Sequence, residues 1–72
     1  MQDFTLFYSS PGGKGTHDCD TFEAAFSLLK EKEKKGNFTA VLIVDKNKNI
    51  VWHNDKIGLD ECMKMAKEYD VI

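Results

Sequence analysis

The side chains best suited to chemistry crowd into one stretch, Ser10 to Cys19, which reads Ser-Pro-Gly-Gly-Lys-Gly-Thr-His-Asp-Cys. Glycine-rich backbone at a helix start leaves N–H groups free to hold an anion, and Lys14 adds a point charge beside them. The residues Gly12, Gly13, Lys14, Gly15 and Thr16 are therefore a candidate anion-binding set. His17 and Cys19 stand two apart, and a helix dipole would favour a thiolate there, but Asp18 and Asp20 flank the thiol and disfavour its ionised form. His17, Cys19, His53 and Asp55 are all ligand-type residues. Neither His-x-Cys nor His-x-Asp has zinc-site spacing, so no metal is expected. No Ser–His–Asp set and no inward pair of carboxylates can be assembled, and the chain is expected to have no catalytic residue and no cofactor.

Two families share short runs with this stretch. Pro11-Gly12-Gly13-Lys14-Gly15-Thr16 resembles the phosphate loop of nucleoside monophosphate kinases over seven residues counted from Ser10. Serines replace the leading glycine, the loop is one residue short, and four residues separate it from the next helix, whereas a phosphate loop runs straight into its helix. Phosphoryl transfer is accordingly not expected. Phe4 to Gly12 is similar to the opening of glutaredoxin-like proteins. The CxxC and the later proline that the resemblance would require are missing, because Gly13 to Thr16 hold no cysteine and Pro11 is the single proline. Thiol–disulfide activity is not expected either.

The elements that must position these residues follow from periodicity. Phe4, Leu6 and Tyr8 alternate with Thr5 and Phe7, which predicts a strand over 4–9, and 10–16 reads as a loop by its punctuation. Asp20 with Glu23 makes a capping-box pattern, and Phe22, Ala25, Phe26 and Leu29 carry a helix to about Lys35, ended by Gly36. The lysine-rich end of that helix, 30–35, reads as a solvated surface. Residues 38–44 are apolar on both faces, as in a central strand. Asp45 to Asn49 is a turn with one left-handed residue, and 50–53 returns as a shorter strand. Leu59, Cys62, Met63, Ala66 and Tyr69 share one face of a second helix.

The predicted fold is thus one small α/β (α+β) domain over 1–72, in the order β-α-β-β-α, with a three-stranded mixed sheet and two helices. A helix joining the first two strands implies that they lie parallel, with the third strand antiparallel to both. That places His53 at the end of the sheet opposite the glycine loop. Spatial order 1-2-3 is preferred to a ferredoxin-like 1-3-2, because 40–44 is better built for the centre than 50–53. Sequence alone leaves open whether the helices cover both sheet faces or one. An uncovered apolar face would mark an interface.

Composition narrows the function classes. The chain has 72 residues, 42% hydrophobic and 31% charged, too short for a cleft between domains. All ten basic residues are lysine, and twelve acids give a net charge of -2. Without arginine the usual reader of guanine edges is missing, so nucleic acid is not the expected partner. Two unclustered cysteines suggest free thiols in a reducing, cytoplasmic setting, although one Cys19–Cys62 bridge stays open. No apolar run has the length of a membrane span, and Met1-Gln2-Asp3 lacks the basic start of a signal peptide.

The expectation is a small, soluble, non-enzymatic protein that acts by contact with another protein, as a regulator or inhibitor of the kind that phages and mobile elements encode. Trp52 is its expected anchor, with His53, Lys46 and Lys48 at the rim, and a homodimer through a sheet face or an edge strand is a second use of the same surfaces. A nucleic-acid module built on the lysines and Trp52, and an anion- or nucleotide-binding protein built on 12–16, are the alternatives.

Overall fold

The chain reverses earlier than its glycines suggest. The computed structural model describes residues 2–72. Strand β1 (Phe4–Ser10) is followed after only Pro11 and Gly12 by β2 (Gly13–Cys19), and the two pair antiparallel from Ser10–Gly13 back to Phe4–Cys19. This corrects the loop expected at 10–16: Gly13, Lys14, Gly15 and Thr16 are strand residues, and only Gly12 sits in the turn. As an edge strand, β2 buries little, so its register comes from β1 and not from β-forming side chains of its own. Ser10 Oγ donates to the Gly13 carbonyl across the turn at 2.8 Å. Gly13 has φ +125°, a conformation that L side chains rarely adopt.

Helix α1 (Phe22–Lys34) is capped by Thr21, whose hydroxyl accepts from Ala24 N at 3.1 Å. Thr21 thus takes the capping role expected of Asp20, because the residue just before Phe22 stands in extended backbone and faces the first orphan N–H groups. Gly36, φ +82°, terminates the helix. Strand β3 (Thr39–Asp45) leads through a tight turn, with Lys48 at φ +66°, to β4 (Ile50–His53), and α2 (Leu59–Glu68) closes the fold.

The four strands form one sheet in the order β2-β1-β3-β4, with every neighbouring pair antiparallel. The molecule is a small α+β domain, and the expected three-stranded mixed sheet is corrected on both counts. The extra hairpin is the reason. It returns the chain to the opposite end of the sheet before α1 begins, so β3 enters antiparallel to β1. The helix crossover now joins β2 to β3, with β1 inserted between these two parallel strands. The same reversal moves His53 from its expected place: it pairs with Leu42, itself the partner of Phe7, at the end of the sheet that also carries the β1–β2 turn.

Each face of the sheet has its own helix. On one, Leu6, Cys19, Ala40 and Ile43 pack with Ala25 and Leu29 of α1, and Phe4, Phe22, Phe26, Phe38 and Trp52 surround them. On the other, Phe7, Val41, Leu42 and Val44 pack with Cys62 and Ala66 of α2 and with Val71. A β-bulge in β3 puts Val41 and Leu42 on the same side, which lets one strand feed both cores unequally. Asn54 ties this bulge to the start of α2. It is the one buried polar residue among those described; its backbone N–H donates to Val41 O at 3.0 Å and its side-chain amide to Ala40 O at 2.9 Å, while its Oδ1 accepts from Lys56 N at 2.9 Å. No helix among the described residues is long and apolar enough to cross a membrane.

Candidate functional site

One open feature built by this topology is the free edge of β2. The strand bonds to β1 on one side only. Because Ser10 and Gly13 close a two-residue turn, bonded pairs alternate from there: Ser10–Gly13, Tyr8–Gly15, Leu6–His17 and Phe4–Cys19. The N–H and C=O groups of Lys14, Thr16 and Asp18 therefore point outward, as an unpaired row. Side chains around this row are held in place. Thr5 Oγ1 donates to Asp18 Oδ1 at 2.9 Å, and Lys14 Nζ lies 5.3 Å from the centroid of the Tyr69 ring. At Gly15 the Tyr8 hydroxyl crosses so closely that an added Cβ would stand 2.7 Å from its oxygen. Gly15 serves packing between neighbouring strands.

The candidate anion-binding set is dispersed by the same geometry. Gly12 lies in a hairpin turn, Gly13 to Thr16 run along an edge strand, and α1 starts only at Phe22. These glycines do not lead into α1, and Lys14 Nζ lies 5.3 Å from the centroid of the Tyr69 ring.

The residues expected around Trp52 divide between the two faces. Trp52 is half-buried on the α1 side, cross-strand from Ile43 and edge-on to Phe26 with centroids 6.2 Å apart. Lys46 and Lys48 line a shallow cleft on the α2 side with Asp18, Asp45, Asp70 and Tyr69. His53 Nε2 lies 3.1 Å from Asp55 Oδ1 at the far end of the sheet. Asp45 organises the β3–β4 turn: its carboxylate accepts from Asn47 N at 2.8 Å, from Asn49 N at 2.9 Å and from Asn49 Nδ2 at 3.2 Å. Those bonds, led by the one from the Asn49 backbone, hold its pKa below the ordinary carboxylate value.

Both thiols are free and buried, and they belong to cores on opposite sides of the sheet, which separates the pair considered for a bridge. Burial pushes the Cys19 thiol up, and the charges of Asp18 and Asp20 push it further the same way. Burial likewise raises Cys62, whose Sγ donates to the Val41 carbonyl at 3.3 Å. Neither is poised as a nucleophile.

A second concave feature escaped the sequence reading. On the α1 face, Leu6, Tyr8, His17, Leu28, Lys32, Lys35, Asn37 and Phe38 enclose a cleft of about 410 Å³. Its signal in the sequence is the helical spacing of Leu28, Lys32 and Lys35, the last being the C-cap of α1, within a lysine run that reads as solvated. Comparison with protein-family models, curated proteins and solved structures finds no match.

Proposed function

We propose that this chain is a non-enzymatic binding protein that contacts another protein by accepting an extended segment of it along the free edge of β2. The supporting observation is the seven-residue edge itself, with the backbone groups of Lys14, Thr16 and Asp18 unpaired and neither a helix nor a proline masking them. Main-chain pairing at such an edge supplies affinity, and the flanking side chains supply selectivity. The opposite edge, β4, is four residues long and bulged, which suits it less. A regulatory or inhibitory role fits a contact of this kind. The lysine and Trp52 surface favours nucleic acid less, since Trp52 is packed on Phe26 while Lys46 and Lys48 share their cleft with three aspartates.

The test selects binders from a displayed library of random decapeptides and follows amide exchange of the full chain with a selected peptide. Protection gained at Lys14, Thr16 and Asp18, and lost with Thr16→Pro, is the expected result. Proline is tolerated at an outward-facing edge position but removes the donor. Protection confined to β4 would move the contact to that edge and overturn the assignment. Protection of β2 in the free protein together with a dimer mass would give the edge to a second copy of the chain instead.

A further inference from the structure

The cleft under the C-terminal half of α1 is separate from the β2 edge and has a different character. One wall is aromatic: Tyr8 and Phe38 stack with centroids 4.7 Å apart and planes inclined by 26°. Leu6 and Leu28 add aliphatic surface, so the interior favours a flat apolar body over a hydrated one. The mouth is cationic. Lys32 of α1 and Lys35, its C-cap, line it with Asn37 and His17, and no carboxylate lines the cleft. Among the described residues neither lysine has a carboxylate within ion-pair distance. Lys30, on a different side of the same helix, instead lies 5.1 Å from the Phe26 ring centroid. The volume, about 410 Å³, falls in the range of small-molecule sites. Gly15 shapes the wall as well, because its missing side chain is what lets the Tyr8 ring lie across β2.

We propose that this cleft is a binding site for a planar aromatic anion, with the ring against Tyr8 and Phe38 and the charged group between Lys32 and Lys35. Lysines at a half-open mouth act as point charges on a group still partly in water. An apolar wall with no charge at its mouth would take neutral and anionic rings alike. The lysine pair makes the site discriminate between them.

The experiment titrates the full chain with naphthoate and, separately, with the neutral isostere naphthalenemethanol, reading backbone amide shifts by nuclear magnetic resonance. Naphthoate is expected to shift Leu6, Tyr8, His17, Leu28 and Phe38 saturably, and the neutral alcohol to bind about tenfold more weakly, the size of one charge-assisted hydrogen bond. Lys32→Gln with Lys35→Gln should lower the affinity for naphthoate about tenfold, abolishing the preference without altering binding of the alcohol, and Lys32→Glu with Lys35→Glu should reverse it. Lys32 is an exposed position of α1 and Lys35 its exposed C-cap, so neither substitution removes a core contact, and circular dichroism checks that each variant is folded. Equal affinity for acid and alcohol, shifts scattered over the surface, or an unchanged preference in the glutamate variant would overturn the proposal.

Discussion

Strands β2 and β3 are both seven residues long and belong to one sheet, yet they are made in opposite ways. In β3, five consecutive residues from Ala40 to Val44 are buried, and the strand serves both cores. In β2, only Cys19 is buried, and the strand exists because β1 offers it a register through a two-residue turn. One strand is specified by what it buries and the other by what it pairs with. The difference underlies the proposed role of β2. The strand that buries everything has nothing left to offer a partner, while the strand that buries little keeps its outer backbone available.

The largest effect that should separate them is the loss of a side chain. Leu42 is fully buried beneath α2, and Leu42→Ala is expected to cost about 3 kcal/mol from lost burial and the cavity left behind. Thr16, at the middle of β2, should lose no more than about 0.5 kcal/mol as Thr16→Ala. Urea unfolding of both variants measures the gap. Comparable losses would mean that β2 is part of the cooperative core, which would break the distinction drawn between the strands.

That distinction also marks how far the sequence could be read. The central position of residues 40–44 was legible because burial on both faces leaves an unbroken apolar run. Both helices and the β3–β4 turn were legible from period and punctuation, with the cap moved by one residue to Thr21. The second strand was not. Gly13 and Gly15 are poor strand residues whose meaning is set by Tyr8, a neighbour on another strand, and no local rule reports that contact. Missing one hairpin inverted the direction of everything after it, which is why the predicted parallel pair became antiparallel and His53 changed ends. The grouping of Trp52 with Lys46 and Lys48 rested on nearness along the chain, whereas the sheet places them on opposite faces. The cleft beside Lys32 and Lys35 depends on residues from β1, β2, α1 and the turn before β3, a convergence that spacing within any one element does not reveal.

A smaller effect sharpens the comparison within β2 itself. Gly15→Ala gains some strand preference, worth about 0.5–1 kcal/mol. It also sets a Cβ 2.7 Å from the Tyr8 hydroxyl, and the ring stacked on Phe38 must slide to make room. Overpacking of this kind costs about 1–3 kcal/mol, so a net loss of about 1 kcal/mol is expected, with a changed near-ultraviolet tyrosine signal. Gly12→Ala is the control: nothing lies within 4 Å of its added Cβ, and its stability should be unchanged or slightly higher. Equal stability of the two variants would show that Tyr8 is not held where it crosses β2.

The smallest effect concerns the two hairpin turns that begin these contrasting ends of the sheet. The β1–β2 turn depends on glycine geometry and the Ser10 hydroxyl, neither of which titrates in the accessible range. The β3–β4 turn depends on an ionised Asp45, whose pKa lies below its ordinary value of 3.8 chiefly because the Asn49 backbone N–H bonds to the charged form. A lowered folded pKa means that the unfolded chain takes up the proton first. The contribution of Asp45 to stability is therefore complete above 3.8 and is lost as pH falls through the lower folded value. Asp45→Asn keeps an oxygen that accepts from Asn47 and Asn49 but removes the charge. At neutral pH it should be modestly less stable than the wild type, and the two stability curves should converge on acidification below 3.8. Urea unfolding at a series of pH values, with the Asp45 carboxyl followed by nuclear magnetic resonance, measures both. Curves that stay parallel into acid would show that the turn is held by its hydrogen-bond geometry alone, and the contrast between a neutral and an ionised hairpin would disappear.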